Sequence, residues 1–475
     1  MHDADRSNPG NSLKMRDRLA GAGLTGNSGC AITGVSRNAP TQATQSSLNT
    51  ETPPSRRQFL KMVAAAGMGS QLVTARFTHG AERPKLPVAA VVTVYRKLSH
   101  TDVLIGKILE GWQQDGGAGP DLKLVSMYVD QVGNGDLSRP NAERFGYRIA
   151  NTIDEAITLG TDRVQVAGVI SIGEHGDYPL TPETHQQLYP RRRFFEEIAA
   201  AFQRGGKVVP VFNDKHLAHS WQDAKFMYDL ARERQIPFLA GSSVPLAWRF
   251  PQVELDPGCE LDGALTIGWS ELERYGIHAL EAHQAMIERR RGGEAGIVSV
   301  QALRGEQIYQ AATQNLWSTD LFQSALSTLP GKVSSSPDWI KDSQAALYLC
   351  EHRDGLKSAV AMVGSLTPEF AFAARIKGQP RPIATWIRLQ NEVPFGHFAQ
   401  QLRAIEETIQ TGKPAYPVER TLLTTGTLDR LMHSLVQGGK RFETPELAIP
   451  YQPSDWPFAN HVRTRLKLPD ISARG

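Results

Sequence analysis

Val88-Ala89-Ala90-Val91-Val92-Thr93-Val94 is an apolar run broken by a single threonine. A strand with one wet face alternates apolar and polar residues. A run that stays apolar at successive positions predicts a strand covered on both faces, as in a parallel sheet between two helix layers. Outward from this run the pattern repeats. Residues 101–112 place Val103, Leu104, Ile108 and Leu109 at helical spacing, 122–129 reads as a second strand, and 141–145 belongs to a helix. Strands at 168–172, 207–212 and 237–240 then alternate with helices at 194–204 and 221–234. Alternation at these spacings calls for right-handed crossovers and a parallel sheet.

After about Val244 the pattern changes. Residues 264–269, 296–303, 345–350, 358–363, 370–376 and 383–390 read as strands. Two tight connections, His352-Arg353-Asp354-Gly355 and Lys377-Gly378-Gln379-Pro380, predict antiparallel hairpins. Helices at 276–289 and 397–411 are expected to cover one face of that sheet. The fold class is therefore α/β: an N-terminal Rossmann-like parallel-sheet domain over 84–243, then an α+β domain with a mostly antiparallel sheet over 244–475.

Ahead of both lies a leader, residues 1–81. Ser55-Arg56-Arg57-Gln58-Phe59-Leu60-Lys61 resembles the twin-arginine export signal S-R-R-x-F-L-K. The weakly apolar stretch after it contains Gly67 and Gly69, too short and polar for a membrane span. Ala75 and Ala81 end two small-residue cleavage sites. The resemblance implies periplasmic or otherwise exported localisation, with the twin-arginine translocon as partner. Residues 1–54 are rich in Ser, Thr, Asn and Gly and read as disorder or as an upstream start, with Met15 a later one. Without residues 1–75 the chain holds 44 basic against 45 acidic residues. That near-neutral balance removes the electrostatic support a nucleic-acid partner needs. Arg191-Arg192-Arg193 and Arg289-Arg290-Arg291 read as solvated helix faces, and Cys259 and Cys350 form at most one disulfide.

Ligands of an open parallel sheet bind outside the carboxyl ends of its strands, so those loops carry the chemistry. The first strand runs into Thr93-Val94-Tyr95-Arg96-Lys97-Leu98-Ser99-His100, and the second into Asp130. Later ones run into Gly173-Glu174-His175-Gly176-Asp177-Tyr178-Pro179 and Asn213-Asp214-Lys215-His216. Titratable side chains thus collect on one rim, as in a binding site.

Gly205-Gly206-Lys207, the strand into Asn213-Asp214-Lys215, and Phe238-Leu239-Ala240-Gly241 together resemble the "aGkHVlcEKP … vg" segment of the Gfo/Idh/MocA oxidoreductases. That family is named after glucose–fructose oxidoreductase and inositol dehydrogenase. Tyr275-Gly276-Ile277-His278-Ala279-Leu280-Glu281 is similar to its "D-x-G-x-H-x-x-D" helix, and Thr411-Gly412-Lys413-Pro414 to its "tGkP" turn. The resemblance spans roughly 86–445. It implies a nicotinamide cofactor, NAD or NADP, a small carbohydrate-like hydroxyl substrate, and a sheet that often mediates homo-oligomerisation. By position it makes Lys215 and His278 catalytic. Asp130 would bind ribose, and Arg96, Lys97, Glu174 and His175 the rest of the cofactor. Asp177, His216 and Arg274 would touch substrate.

The chain departs from the family at its G-x-G-x-x-G loop, because no glycine occurs in 88–98. The family's proline after the lysine is His216, and the acid expected four residues before His278 is Arg274. Two readings follow: an exported oxidoreductase with a remodelled phosphate loop, or a relative that has lost the dinucleotide and binds or cleaves carbohydrate in the same cleft. In the second, Glu174 and Asp177 would be the paired carboxyls. His175, Asp177, His216 and His278 are ligand types for zinc or manganese, but without recognised ligand spacing no metal is assigned. His219 and His283 read as helix-surface residues.

Overall fold

The computed structural model describes residues 84–331 and 337–461. The leader and its twin-arginine motif lie outside the described residues. The first sheet comprises β1 (Leu86–Val92), β2 (Leu122–Val129), β3 (Arg148–Ala150), β4 (Gly168–Ile172), β5 (Val211–Asp214) and β6 (Phe238–Gly241). Their spatial order is β3-β2-β1-β4-β5-β6, and every neighbouring pair is parallel. The opening run is apolar because Val88 to Val92 are fully buried. On one face Phe194, Phe195, Ile198 and Phe202 of α4 (Arg191–Gly205) pack, with Ala224 and Met227 of α5 (Trp221–Glu233). On the other lies α1 (His100–Glu110), through Val103, Leu104, Ile105 and Ile108. Two short helices, α2 (Ser138–Phe145) and α3 (Ile153–Thr158), complete this half. Strand order reverses between β1 and β4, which opens a crevice at their carboxyl ends.

The second sheet holds β7 (Trp248–Phe250), β8 (Leu261–Gly268), β9 (Ile297–Leu303), β10 (Ala346–His352), β11 (Lys357–Met362), β12 (Phe370–Ile376), β13 (Ile383–Arg388) and β14 (Phe442–Glu443). Its order is β14-β9-β10-β11-β8-β12-β13-β7, antiparallel except for β8 with β11. Both expected hairpins form, β10 with β11 and β12 with β13. Helix α6 (Gly276–Ile287) and the long α10 (Val418–Val436) cover one face. The shorter α7 (Glu306–Thr313) and α8 (Thr319–Leu326) cover the other. Among the described residues no helix is long and apolar enough to cross a membrane.

Helix α9 (His397–Thr411) departs from expectation. It covers the first sheet, not the second: Phe398, Leu402, Ile405 and Ile409 join Val88, Val92 and Ile170 in one core. An apolar stripe shows that a helix packs but not against which sheet. Beside α1, the parallel sheet had a face still to cover. Several polar residues read as surface groups are also buried. Arg191 has no exposed area, Arg290 pairs with Glu294 at 2.9 Å, and His283 sits 2.9 Å from Thr266 Oγ1 against the second sheet. Each lies on an element whose neighbours enclose it on more sides than a single-helix reading allows. Cys259 and Cys350 are free thiols.

Gly168 reports directly on the α9 contact. A Cβ at that position would stand 2.6 Å from Ile409 Cγ1. Gly168→Ala should therefore cost about 1–3 kcal/mol by overpacking, although alanine normally suits a strand better than glycine. Ile409→Ala, which removes Cγ1, Cγ2 and Cδ1, should relieve it, with a coupling of about 0.5 kcal/mol or more in a urea-denaturation double-mutant cycle. Strict additivity would place α9 elsewhere.

Candidate functional site

The crevice is anchored on Glu174, just beyond β4. Thr93 Oγ1, beyond β1, donates to the Glu174 carbonyl at 2.6 Å and accepts its N–H at 3.1 Å, so the two strand ends hold one another. The Glu174 side chain is completely buried between two cations. Lys215 Nζ donates to Oε1 and Arg191 Nη2 to Oε2, each at 2.8 Å. Burial alone would raise this carboxyl. Lys215 and Arg191, helped by His100 and His175, instead hold it well below the usual carboxylate range. Lys215 reaches it from the end of β5 with φ at 59°, and His175 follows with φ at 67°. Non-glycine residues rarely adopt these left-handed conformations, which cluster at functional sites when the surroundings fix them.

Around this pair the site is built from histidines. His278, the third residue of α6, is 7% exposed and lies 2.5 Å through Nδ1 from Ser242 Oγ. Burial, then the charges of Lys215 and His100, push its pKa well below the ordinary imidazole value. His175 is lowered to about 3 by burial and by His100, and His397 to about 3 by burial and by His100. His100 stands among them, its ring 5.4 Å from that of His175, 6.4 Å from His278 and 4.9 Å from Phe398. Its Nδ1 is 2.6 Å from Oδ2 of buried Asp214. The sequence offered no signal for this pair beyond each residue's place at a strand end.

The expected site residues divide into three groups. Lys215, His278, Glu174 and His175 do come together, and His216 and Arg274 flank them. His216 Nε2 is 3.0 Å from Glu273 Oε1 and 3.2 Å from Arg191 Nη1, while the Arg274 carbonyl accepts from Lys215 at 3.4 Å. Arg96 and Lys97 stay exposed on the turn before α1, at the crevice rim. Asp177 is exposed, and its backbone is held by Gln131. Glu174 cannot serve as a general acid with Asp177, because two cations keep it ionised. The residues missed in sequence are His100, Asp214, Arg191 and Glu273. Five polar atoms here, Ser171 Oγ, His175 Nε2, Arg191 Nε, His216 Nδ1 and Arg274 Nε, are buried without a hydrogen-bond partner. Leaving such atoms unpaired costs about 1–3 kcal/mol each, so the site is suited to a polar, many-hydroxyl ligand. Among the described residues no group of three or more His, Cys, Asp or Glu is arranged to hold a metal ion.

A dinucleotide asks for phosphate donors at the turn before α1 and an acid at the end of β2. Arg96 is exposed and its guanidinium bonds no protein group among the described residues, so its fork is available to a phosphate. Asp130 is the acid, although it already accepts from Tyr128 Oη at 2.8 Å and Tyr178 Oη at 2.7 Å and pairs with Arg193. The donor set fits a nucleotide through side chains. It offers no backbone cradle: Tyr95 is buried in the turn, and Asp102 Oδ2 accepts the Leu98 N–H at 2.8 Å and pairs with Lys97 at 3.2 Å.

No protein-family model matches the chain, and no curated protein matches it in sequence. Among solved structures it is similar to GenD2 from gentamicin A biosynthesis in complex with NAD. The identity there is 15% and the TM-score 0.49, over 76% of this chain and 97% of that one. It is also similar to a myo-inositol dehydrogenase from Corynebacterium glutamicum, at 12% identity and TM-score 0.46, covering 76% and 98%. An oxidoreductase from Agrobacterium radiobacter in complex with NAD+, L-tartaric acid and magnesium gives 14% identity and TM-score 0.46, covering 76% and 98%.

The buried neutral histidines fix an acid response. His283 has a folded pKa of about 3 against 6.5 unfolded, with burial the main cause. Between those values the unfolded chain binds a proton that the folded chain refuses. Stability should therefore be complete above about pH 6.5 and fall as pH drops toward 3. His283→Gln should flatten the slope of unfolding free energy between neutral and mildly acid pH by about 1.4 kcal/mol per pH unit. Equal slopes would mean that His283 is charged in the folded state.

Proposed function

We propose that this chain is an exported NAD(P)-dependent oxidoreductase acting on a sugar, polyol or related hydroxyl compound. The first sheet would receive the nucleotide, and the second would complete the substrate wall. The observation that carries the reading is the Lys215–Glu174 pair, with His278 and His100 beside it, at the carboxyl edge of a β3-β2-β1-β4-β5-β6 parallel sheet. The dinucleotide, when bound, would accept a hydride from the carbinol carbon. Arg96 would hold its phosphates by side chain, with Lys97 adding charge once released from Asp102, and Asp130 would receive its ribose.

Everything else falls to the protein's own groups. Lys215, fixed by Glu174 and the Arg274 carbonyl, presents its one remaining N–H to the substrate oxygen and stabilises negative charge as that oxygen loses its proton. His278, oriented by Ser242, stays uncharged and hydrogen-bonds the same hydroxyl. His216 and Arg274 border the pocket, and half-buried Arg274 pairs with Glu271 at 3.2 Å and lies 3.8 Å from Glu174.

One observation favours a second reading, in which the cleft binds carbohydrate without a dinucleotide. Asp102 already caps the turn where a pyrophosphate would sit, and a carboxylate there repels phosphate. NADH fluorescence titration separates the two. In the first reading NADH binds at or below millimolar levels, and Arg96→Ala weakens it about tenfold, as expected for a lost charge-assisted contact of about 1.4 kcal/mol. No binding by folded protein at millimolar NADH leaves the second reading. With NAD+ and a panel of polyols, Lys215→Met should lower kcat by about 100-fold or more. Export is tested apart from chemistry: replacing Arg56 and Arg57 with lysine should leave the precursor uncleaved in the cytoplasm, and unchanged export would refute the twin-arginine assignment.

A further inference from the structure

Asp214 ends β5 and is 1% exposed. Among the described residues, one side-chain group bonds its carboxylate: His100 Nδ1, at 2.6 Å. A buried carboxylate needs a donor, so the neutral ring must carry its hydrogen on Nδ1. That leaves Nε2 as the lone-pair nitrogen. Among the described residues no protein group bonds Nε2, and the His100 side chain keeps 14% of its surface exposed. The ring cannot swing away easily, because Phe398 and His175 pack on it edge to face. His100 is also the first residue of α1, behind Ser99, whose Oγ accepts the Asp102 N–H.

The neighbouring groups are poorer proton acceptors. Lys215 gives two of its three ammonium hydrogens to Glu174 Oε1 and the Arg274 carbonyl, and an ammonium has no lone pair to accept a proton. His278 is buried, and Lys215 beside it opposes a second positive charge. His175 and His397 are likewise held neutral by burial. Of the four rings gathered here, His100, His175, His278 and His397, it is His100 that bonds a carboxylate directly, with Glu174 a second negative charge nearby.

We propose that His100 is the catalytic proton acceptor of the site and that Asp214 is its positioning residue. The inference rests on the oxidoreductase reading given above. The substrate O–H bond breaks and its proton joins His100 Nε2. The electron pair left on oxygen forms the carbonyl as the hydride passes to the nicotinamide dinucleotide. Asp214 remains ionised against the imidazolium, which then returns the proton to solvent.

Long-range proton–nitrogen NMR on the full chain with labelled histidine tests the dyad without turnover. His100 should carry its hydrogen on Nδ1, and Asp214→Asn, which can offer an N–H in place of the carboxylate, should shift the tautomer toward Nε2–H. A His100 that carries its hydrogen on Nε2 in the wild type overturns the proposal. In turnover with NAD+ and the polyol panel, His100→Gln should lower kcat by about 100- to 10,000-fold with KM little changed. Asp214→Asn should lower kcat and move the acid limb of the pH profile to lower pH, and His100→Gln should abolish that limb. Wild-type kcat in His100→Gln also overturns the proposal. If no polyol is oxidised by the wild type, the oxidoreductase reading fails, while the tautomer result still decides whether the dyad exists.

Discussion

A carboxylate without access to water must be met by charge or by several hydrogen bonds, and Glu174 is such a group. Its position just past β4 forces the elements around it into place. Arg191 must open α4 so that its guanidinium reaches one oxygen. Lys215 must leave β5 in a left-handed turn to reach the other. Thr93 must end β1 within reach of the Glu174 backbone. Arg274, ahead of α6, is drawn in through its carbonyl. Four segments thus converge around Glu174, with Arg191 and Lys215 on its carboxylate, Thr93 on its backbone and Arg274 on Lys215, and the crevice between the sheets takes its shape from them.

The same charge pattern sets the chemistry the crevice can support. Two guanidiniums and one ammonium lie near Glu174 and Glu273, and buried imidazoles beside them resist further protonation. A site of this kind keeps His175, His278 and His397 as neutral hydrogen-bonding groups across ordinary pH. It reserves positive charge for Lys215 and the arginines, where a developing alkoxide gains from it. Glycoside cleavage needs a protonated carboxylic acid, and Glu174 is held in the opposite state.

Much of this was legible in the sequence. Runs such as 88–92 and 168–172 announce strands buried on both faces because no polar alternation interrupts them, and the two glycine-bearing turns announce hairpins. Lys215 and His278 stood out through the resemblance of 213–215 and 275–281 to motifs of the Gfo/Idh/MocA oxidoreductases. What stayed hidden depended on partners far along the chain. β3 has three residues, too few for a period to show. The stripe of α9 was visible, but its destination was not. Arg191 looks like its neighbours Arg192 and Arg193 until Glu174 is seen opposite it. His100 and Asp214 are 114 residues apart, and nothing local in either marks them as a pair.

The placement of α9 also bears on how the chain is made. The parallel sheet is encoded between residues 86 and 241, yet one of its faces waits for a helix that ends at Thr411. While the ribosome is still delivering the second sheet, the first carries an uncovered apolar surface beside α1. Its folding is then governed by long-range closure, slow and exposed to mispairing, rather than by its own local contacts. A fragment ending near residue 243 would inherit the same bare face permanently, so the half that holds most of the crevice residues is not a protein that can be taken out and studied alone.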